Sequence, residues 1–265
     1  MTTGMLRTKR IRSRMAWVPK RRAVHHVLFA LALLVVWQLF SGVVGPLFLP
    51  PVDAIAAAFF DLVVTGQLPR ALGQSLVLLV VGLLAATAIG FFFGILIGRS
   101  RIAHWTLSPY FSALFVTPTV ALVPLVLIWF GFGFTGRCLV VVLAAVVPIL
   151  LSVSSALRDD PGELVEVAKS FGLRGELALL RHVRLRAAVP VIMSGLRLAV
   201  GRAVVGMAVA ETYLRLGGIG GLIRSYGSLF QTDYVFAAIL PLSFLGIGLT
   251  ALVGRVERRF QGWQS

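Results

Sequence analysis

Three ionisable residues stand inside an otherwise apolar run, and their spacing limits what they can do. At a helical rise of 1.5 Å per residue, Arg197 and Arg202 fall about 10 and 18 Å from Pro190, and Glu211 about 31 Å. A guanidinium near the middle of a bilayer is costly unless it meets protein, water or a counter-charge. Arg202 therefore either attracts an anionic solute into a pathway or is bonded to helix-end carbonyls or to an acid of a neighbouring chain. Glu211 is expected at the outer surface, as a polar group beside a gate or as a solvated helix end, the second being the commoner state of a terminal carboxylate.

A second polar constellation lies outside the apolar runs, between Arg158 and Pro190. Five of the ten acids of the chain are there: Asp159, Asp160, Glu163, Glu166 and Glu176. Asp160, Pro161 and Glu163 read as N-cap, first helical position and capping-box acid, because each supplies or spares an orphan amide at a helix start. Leu164, Val167, Ala168 and Phe171 then recur at i, i+3, i+4 and i+7, which gives one apolar stripe. Gly172 can take the left-handed conformation that ends such a helix. A short amphipathic helix beside membrane spans is a surface offered to a partner.

Other chemistries fail on residue type or spacing. Gly94, Gly98, Arg99 and Ser100 are too close together for a phosphate loop and place arginine where lysine is required, so ATP is not expected to bind this chain by that route. Gly131, Gly133 and Gly136 spell a dinucleotide fingerprint, but they join two apolar runs instead of a strand and a helix. His25, His26, His104 and His182 show no ligand spacing with acids or cysteine, and no serine or cysteine lies in a nucleophile motif. No catalytic residue, metal site or cofactor is therefore expected on the chain itself. The lone Cys138 excludes an internal disulfide.

The elements that must position these residues are membrane spans. A chain that is 58% hydrophobic and 13% charged falls in the integral-membrane class, so its net charge of +15 points to cytoplasmic loops and not to nucleic acid. Residues 1–22 form a basic cytoplasmic segment. Val24 to Val44 follows as an uncleaved first span, since 21 residues rise about 31 Å against a hydrocarbon core of about 30 Å. Residues 45–73 hold a short helix around Ile55 to Val64, outside the membrane or at its surface. Gln74 to Gly98 is the second span, with Gly82, Ala86, Gly90, Gly94 and Gly98 in one row that admits a close neighbour.

Arg99, Arg101 and His104 mark an inside loop, and Leu107 to Gly131 is the third span, interrupted by Pro109, Pro118 and Pro124. Those prolines free carbonyls that line a pathway or else merely kink the bundle. Arg137 to Leu157 is the fourth span, Pro190 to Tyr213 the fifth and Val235 to Gly254 the sixth. Between the last two, Gly217 to Gly221 reads as a flexible outside turn and Leu222 to Phe230 as a short outside helix. Of the 25 basic residues only Arg70, Arg137, Arg215 and Arg224 fall on outside segments, which places both termini in the cytoplasm. The chain divides into residues 1–22, a single transmembrane domain over 23–260 with a cytoplasmic loop over 158–190, and a tail over 261–265.

Glu166-Val167-Ala168, Gly172 four residues later, Val183-x-Leu185 and Ala188-Val189-Pro190 together resemble the E-A-A cytoplasmic loop of bacterial ABC-importer permeases of the binding-protein-dependent type. The run Ser194-Gly195-Leu196-Arg197-Leu198-Ala199-Val200-Gly201-Arg202-Ala203, Ala210-Glu211 beyond it, and Pro124-Leu125 with Ile128-Trp129-Phe130-Gly131 are similar to the nitrate, sulfonate and taurine branch of that family. Two departures stand out: Val167 replaces the usual second alanine, and Arg186 replaces a proline that commonly follows Leu185.

The resemblance implies an all-α membrane protein of six transmembrane helices with the type I ABC importer permease fold, methionine-permease-like, in the bacterial inner membrane. It implies that Glu163, Leu164, Glu166, Val167, Ala168, Phe171 and Gly172 form a coupling helix that docks on a cytoplasmic ATPase dimer, where ATP and Mg are bound. It further implies a periplasmic or lipid-anchored solute-binding protein and a second permease subunit, commonly identical. Pro118, Pro124, Arg197, Arg202 and Glu211 are the expected pathway residues, and the solute is a small anion of the sulfonate, nitrate or taurine type or a related nutrient. An ATP-independent channel or facilitator is the alternative, and it leaves the cytoplasmic helix without a role. A membrane anchor of a larger enzyme fits less well, because His25 and His26 sit at a membrane edge.

Overall fold

The computed structural model describes residues 18–158, 162–214 and 217–261, all in helices and short connections. In chain order the helices are α1 (Val18–Val44), α2 (Val52–Val64), α3 (Gln67–Arg99), α4 (Arg101–Val116), α5 (Thr119–Phe130), α6 (Phe134–Arg158), α7 (Gly162–Ser170), α8 (Glu176–Leu179), α9 (Leu185–Leu214), α10 (Gly218–Ser228) and α11 (Thr232–Gln261). A π turn, Leu180–Arg184, joins α8 to α9. Five of these helical stretches are long and apolar enough to cross a bilayer. The pair α4 and α5, bent by 100° at its break, makes a sixth when counted as one span.

The row of small residues in α3 decides the centre of the molecule. A Cβ at Gly90 would lie 2.8 Å from Ile149 Cγ2, one at Gly94 would lie 2.7 Å from Val153 Cβ, and Gly82 and Gly98 meet Val141 and Leu157 in the same way. The same offset recurs at each contact, so α3 and α6 run parallel with β-branched or leucine side chains of one seated on the glycines of the other. On its other side α6 receives α9, whose Gly195 and Gly206 face Ser152 and Ala144. Buried between two neighbours, α6 carries Val141, Ala145, Ile149 and Val153 into the main core together with Leu78, Ala86, Ala199 and Met207.

Around this three-helix slab the other elements are peripheral. α2, α10 and α11 meet over Leu62, Leu68 and Ala237. α1 touches the rest through Trp37, whose indole N–H donates to Pro50 O at 3.0 Å and whose ring meets Phe236 edge-on, and through Gln38, whose Oε1 accepts from Val52 N at 2.8 Å. Most of its apolar surface, Leu28, Phe29 and Leu39 among it, faces outward, as expected of a helix that abuts lipid.

Several boundaries differ from the sequence expectations. α3 begins at Gln67, not at Gln74, and the loop expected around Arg99 to His104 shrinks to Ser100, whose hydroxyl caps α4 by accepting from Ala103 N at 3.1 Å. The third span is two helices instead of one kinked helix. The fifth does not start at Pro190 but continues an unbroken helical path from Glu176, so the loop over 158–190 is helical for its second half. Basic residues disguised that path from a hydropathy reading. Gly218 to Gly221 are buried and helical, and not a flexible turn. The expected cap residues Asp160 and Pro161, most of the basic N-terminal segment and residues 262–265 lie outside the described residues.

Candidate functional site

The short helix α7 forms where the sequence places it, and its end is set by Gly172. That residue has φ +86, and Gly172 N donates to Lys169 O and Leu173 N to Ala168 O, both at 3.0 Å. This is the paired 5→2 and 6→1 closure of a glycine-terminated helix. The apolar stripe is turned away from the protein: Leu164 is 54% exposed, Val167 53% and Phe171 88%. Glu163 and Glu166 are exposed as well, and Ala168 is half-buried. The helix is held to the body by Val165, which is 6% exposed and was not singled out from the sequence. Val165 is also i−3 to Ala168, a register in which it could have been noticed. On the far side of Gly175, Arg184 Nη1 pairs with Glu176 Oε2 at 3.1 Å, and Leu179 and Leu180, between them in sequence, are buried.

A second candidate lies at the break between α4 and α5. Thr117 and Pro118 are both extended, with ψ 128° and 106°. Proline disfavours the helical region for the residue before it, which takes Thr117 out of α4, and Pro118 then opens α5 as its N-cap. Pro109 and Pro124 remain inside their helices. Arg202 reaches across from α9 to this break. Its Nη1 donates to Phe115 O at 3.2 Å, and its guanidinium lies 4.0 Å from the centre of the Phe115 ring. Phe115 O belongs to the last turn of α4, whose carbonyls have lost their helical partners. Of the readings open from the sequence, the bond to a helix-end carbonyl is the one present.

Beside Arg202 is a cleft of about 230 Å³ lined by Thr117, Pro118, Thr119, Val123, Ala144 and Val205, among others. Arg202 and Val205 also border a second, more open concavity of about 450 Å³ next to Arg197. Pro118 thus joins Arg202, whereas Pro124 is exposed away from both hollows. Arg197 lines that second concavity together with Arg202 and is half-exposed, with Nη1 3.8 Å from Glu257 Oε2 on α11.

Glu211 corrects an expectation. It is 1% exposed, not a solvated helix end, because α10 folds back over it. Ser75 Oγ donates to its carboxylate at 2.8 Å, and Gly220 N donates to Oε2 at 3.0 Å. Ile219 N donates to Ser75 Oγ at 2.9 Å and Gly218 N to Gln74 Oε1 at 2.8 Å. Three orphan amides at the start of α10 are therefore satisfied by side chains from α3 and α9, with the carboxyl group of Glu211 at the positive end of the helix. The glycines are needed there: a Cβ on Gly220 would lie 2.6 Å from both Ala208 O and Glu211 Cβ. No group of three or more potential metal ligands occurs among the described residues.

The family model for the binding-protein-dependent transport system inner membrane component matches residues 86–262. The putative aliphatic sulfonates transport permease protein SsuC of Bacillus subtilis is 30% identical over 241 residues, covering 90% of this chain and 87% of its own. The taurine transport system permease protein TauC of Escherichia coli is 27% identical over 97% of this chain and 95% of its own. The nitrate import permease protein NrtB of Synechococcus elongatus is 26% identical over 92% and 93%. Among solved structures, a chain of the inward-facing MetNI methionine ABC transporter shares the fold, with a TM-score of 0.56 at 17% identity over 72% of this chain and 96% of that one.

Proposed function

This chain belongs to the binding-protein-dependent transport system inner membrane component family, and from that premise we propose that it forms half of the membrane pathway of an ATP-driven importer for a small anion. The observation that carries the coupling step is the outward-facing stripe of Leu164, Val167 and Phe171 on α7. Leu164 and Val167 on this nine-residue helix and Phe171 directly after it present one apolar face as a helix-in-groove ligand, with Glu163 and Glu166 supplying a polar rim. The groove belongs to a cytoplasmic ATPase that binds ATP and Mg. Gly172 fixes the far end of the helix, and Val165 transmits its displacement to the spans.

In this mechanism ATP binding draws two ATPase subunits together, and the α7 helices of two permease copies travel with them. The pathway between the copies then turns from inward-open to outward-open, and a solute-binding protein outside the membrane releases its cargo into it. Both termini lie in the cytoplasm with α7, in accord with the distribution of basic residues. The solute class is a sulfonate, taurine or nitrate-type anion, as for the relatives SsuC, TauC and NrtB.

The test is affinity purification of the tagged protein from native membranes, comparing wild type with a variant whose residues 163–175 are replaced by a flexible linker. An ATPase that co-purifies with wild type and is lost from the variant supports the coupling role. An ATPase absent from both, under conditions that preserve other membrane complexes, removes the importer reading in favour of an ATP-independent facilitator.

A further inference from the structure

We propose that Arg202 is the anion-binding residue of the cleft beside the break at 117–118, where a small monoanion takes the place of Phe115 on its guanidinium; the choice of anion class rests on the importer reading above. Arg202 lies well inside α9, where a charge must be answered by protein or water. Among the described residues no carboxylate pairs with it, in contrast to Arg197 with Glu257 and Arg184 with Glu176. Its two contacts are both to Phe115, a carbonyl at 3.2 Å and a ring face at 4.0 Å. The carbonyl bond is at the long end of the range for N–H···O, and it occupies one of five guanidinium donors. An oxyanion instead offers two parallel bonds in which donor and acceptor are both ionised, so it adds a second bond and a counter-charge that a neutral carbonyl lacks.

The surroundings suit a small solute with little polar surface beyond its charge. At about 230 Å³ the cleft is smaller than the 300 to 1,000 Å³ usual for drug-sized ligands. Its walls are apolar at Val123, Val140, Ala144 and Val205, and Thr119 adds a hydroxyl to the cation. Because Arg202 also borders the second concavity, an anion held on it can be approached from either hollow. Transfer of the guanidinium from Phe115 O to an anion leaves the last turn of α4 uncapped. Occupancy of the cleft is thereby linked to the bend of the broken span.

The purified full-length permease in lipid nanodiscs provides the test, with the unfolding midpoint measured in ethanesulfonate or nitrate against chloride at equal ionic strength. Ethyl methyl sulfone serves as the uncharged probe of similar shape. The expected result is stabilisation by at least one of the two anions and none by the sulfone, with the apparent anion affinity lowered at least tenfold in Arg202→Gln and partly retained in Arg202→Lys. Phe115→Leu removes the competing ring and should raise the anion affinity severalfold, an outcome that a merely structural arginine does not produce. Equal responses of wild type and Arg202→Gln, or no response of wild type to either anion, overturn the proposal. If Arg202→Gln does not fold, an unchanged or weaker affinity in Phe115→Leu overturns it. The assay contains no ATPase, so its failure leaves the importer reading to its own co-purification test.

Discussion

Glu211 and Arg202 stand about 13 Å apart along one helix, and the two charges are handled in opposite ways. The carboxylate is fully enclosed and meets a hydroxyl and a backbone amide; the guanidinium keeps an edge in a cleft. Replacing Glu211 by Ala should leave Ser75 and the α10 amide unpaired at about 1 to 3 kcal/mol each. The expected result is a clear fall in the unfolding temperature, smaller for Glu211→Gln, which keeps an acceptor; equal midpoints would contradict the capping role. Phe171→Asp should behave differently, because a side chain that is 88% exposed contributes little to stability. Its midpoint should match wild type while co-purification of the ATPase is lost. From the sequence the spacing of the two charges along their helix was legible, nine residues at a fixed rise. Neither partner was legible, because Phe115 lies 87 residues from Arg202 and Ser75 lies 136 from Glu211. Height follows from rise per residue, whereas partnership depends on which helices fold back.

At the scale of elements, the glycine row of α3 was readable as a packing surface, but the identity of the helix that fills it was not. Any neighbour with branched side chains at a four-residue spacing satisfies such a row. Gly94→Leu should overpack the contact with Val153 by about 1 to 3 kcal/mol or more and reduce the yield of folded protein in size-exclusion profiles. Gly201→Ala is the matched control. Nothing lies within 4 Å of its Cβ position, so a neutral or slightly stabilising effect is expected from helix propensity. The broken span shows a second limit. Three prolines announced an interruption, but only Pro118 makes one, because only there does the preceding residue leave the helical region. α7 was the most legible element of all, since stripe and terminator are both local in sequence.

The whole molecule has one end that carries α7 and another that carries the α10 cap. In a cysteine-free Cys138→Ser background, Ser170→Cys should react with a membrane-impermeant maleimide only from the cytoplasmic side, and Ser228→Cys only from outside. Both positions are exposed, so the reverse pattern would contradict the orientation. The slab of α3, α6 and α9 separates those ends, and the meshing of its first two members has a consequence for motion. Like a rack on a pinion, helices engaged at every fourth residue cannot creep past one another. The next register lies a whole tooth away, about 6 Å at 1.5 Å per residue, with a valine, isoleucine or leucine to lift over each glycine. Thermal agitation therefore leaves α3 and α6 as one stiff spar, and whatever travels during a transport cycle must travel past it.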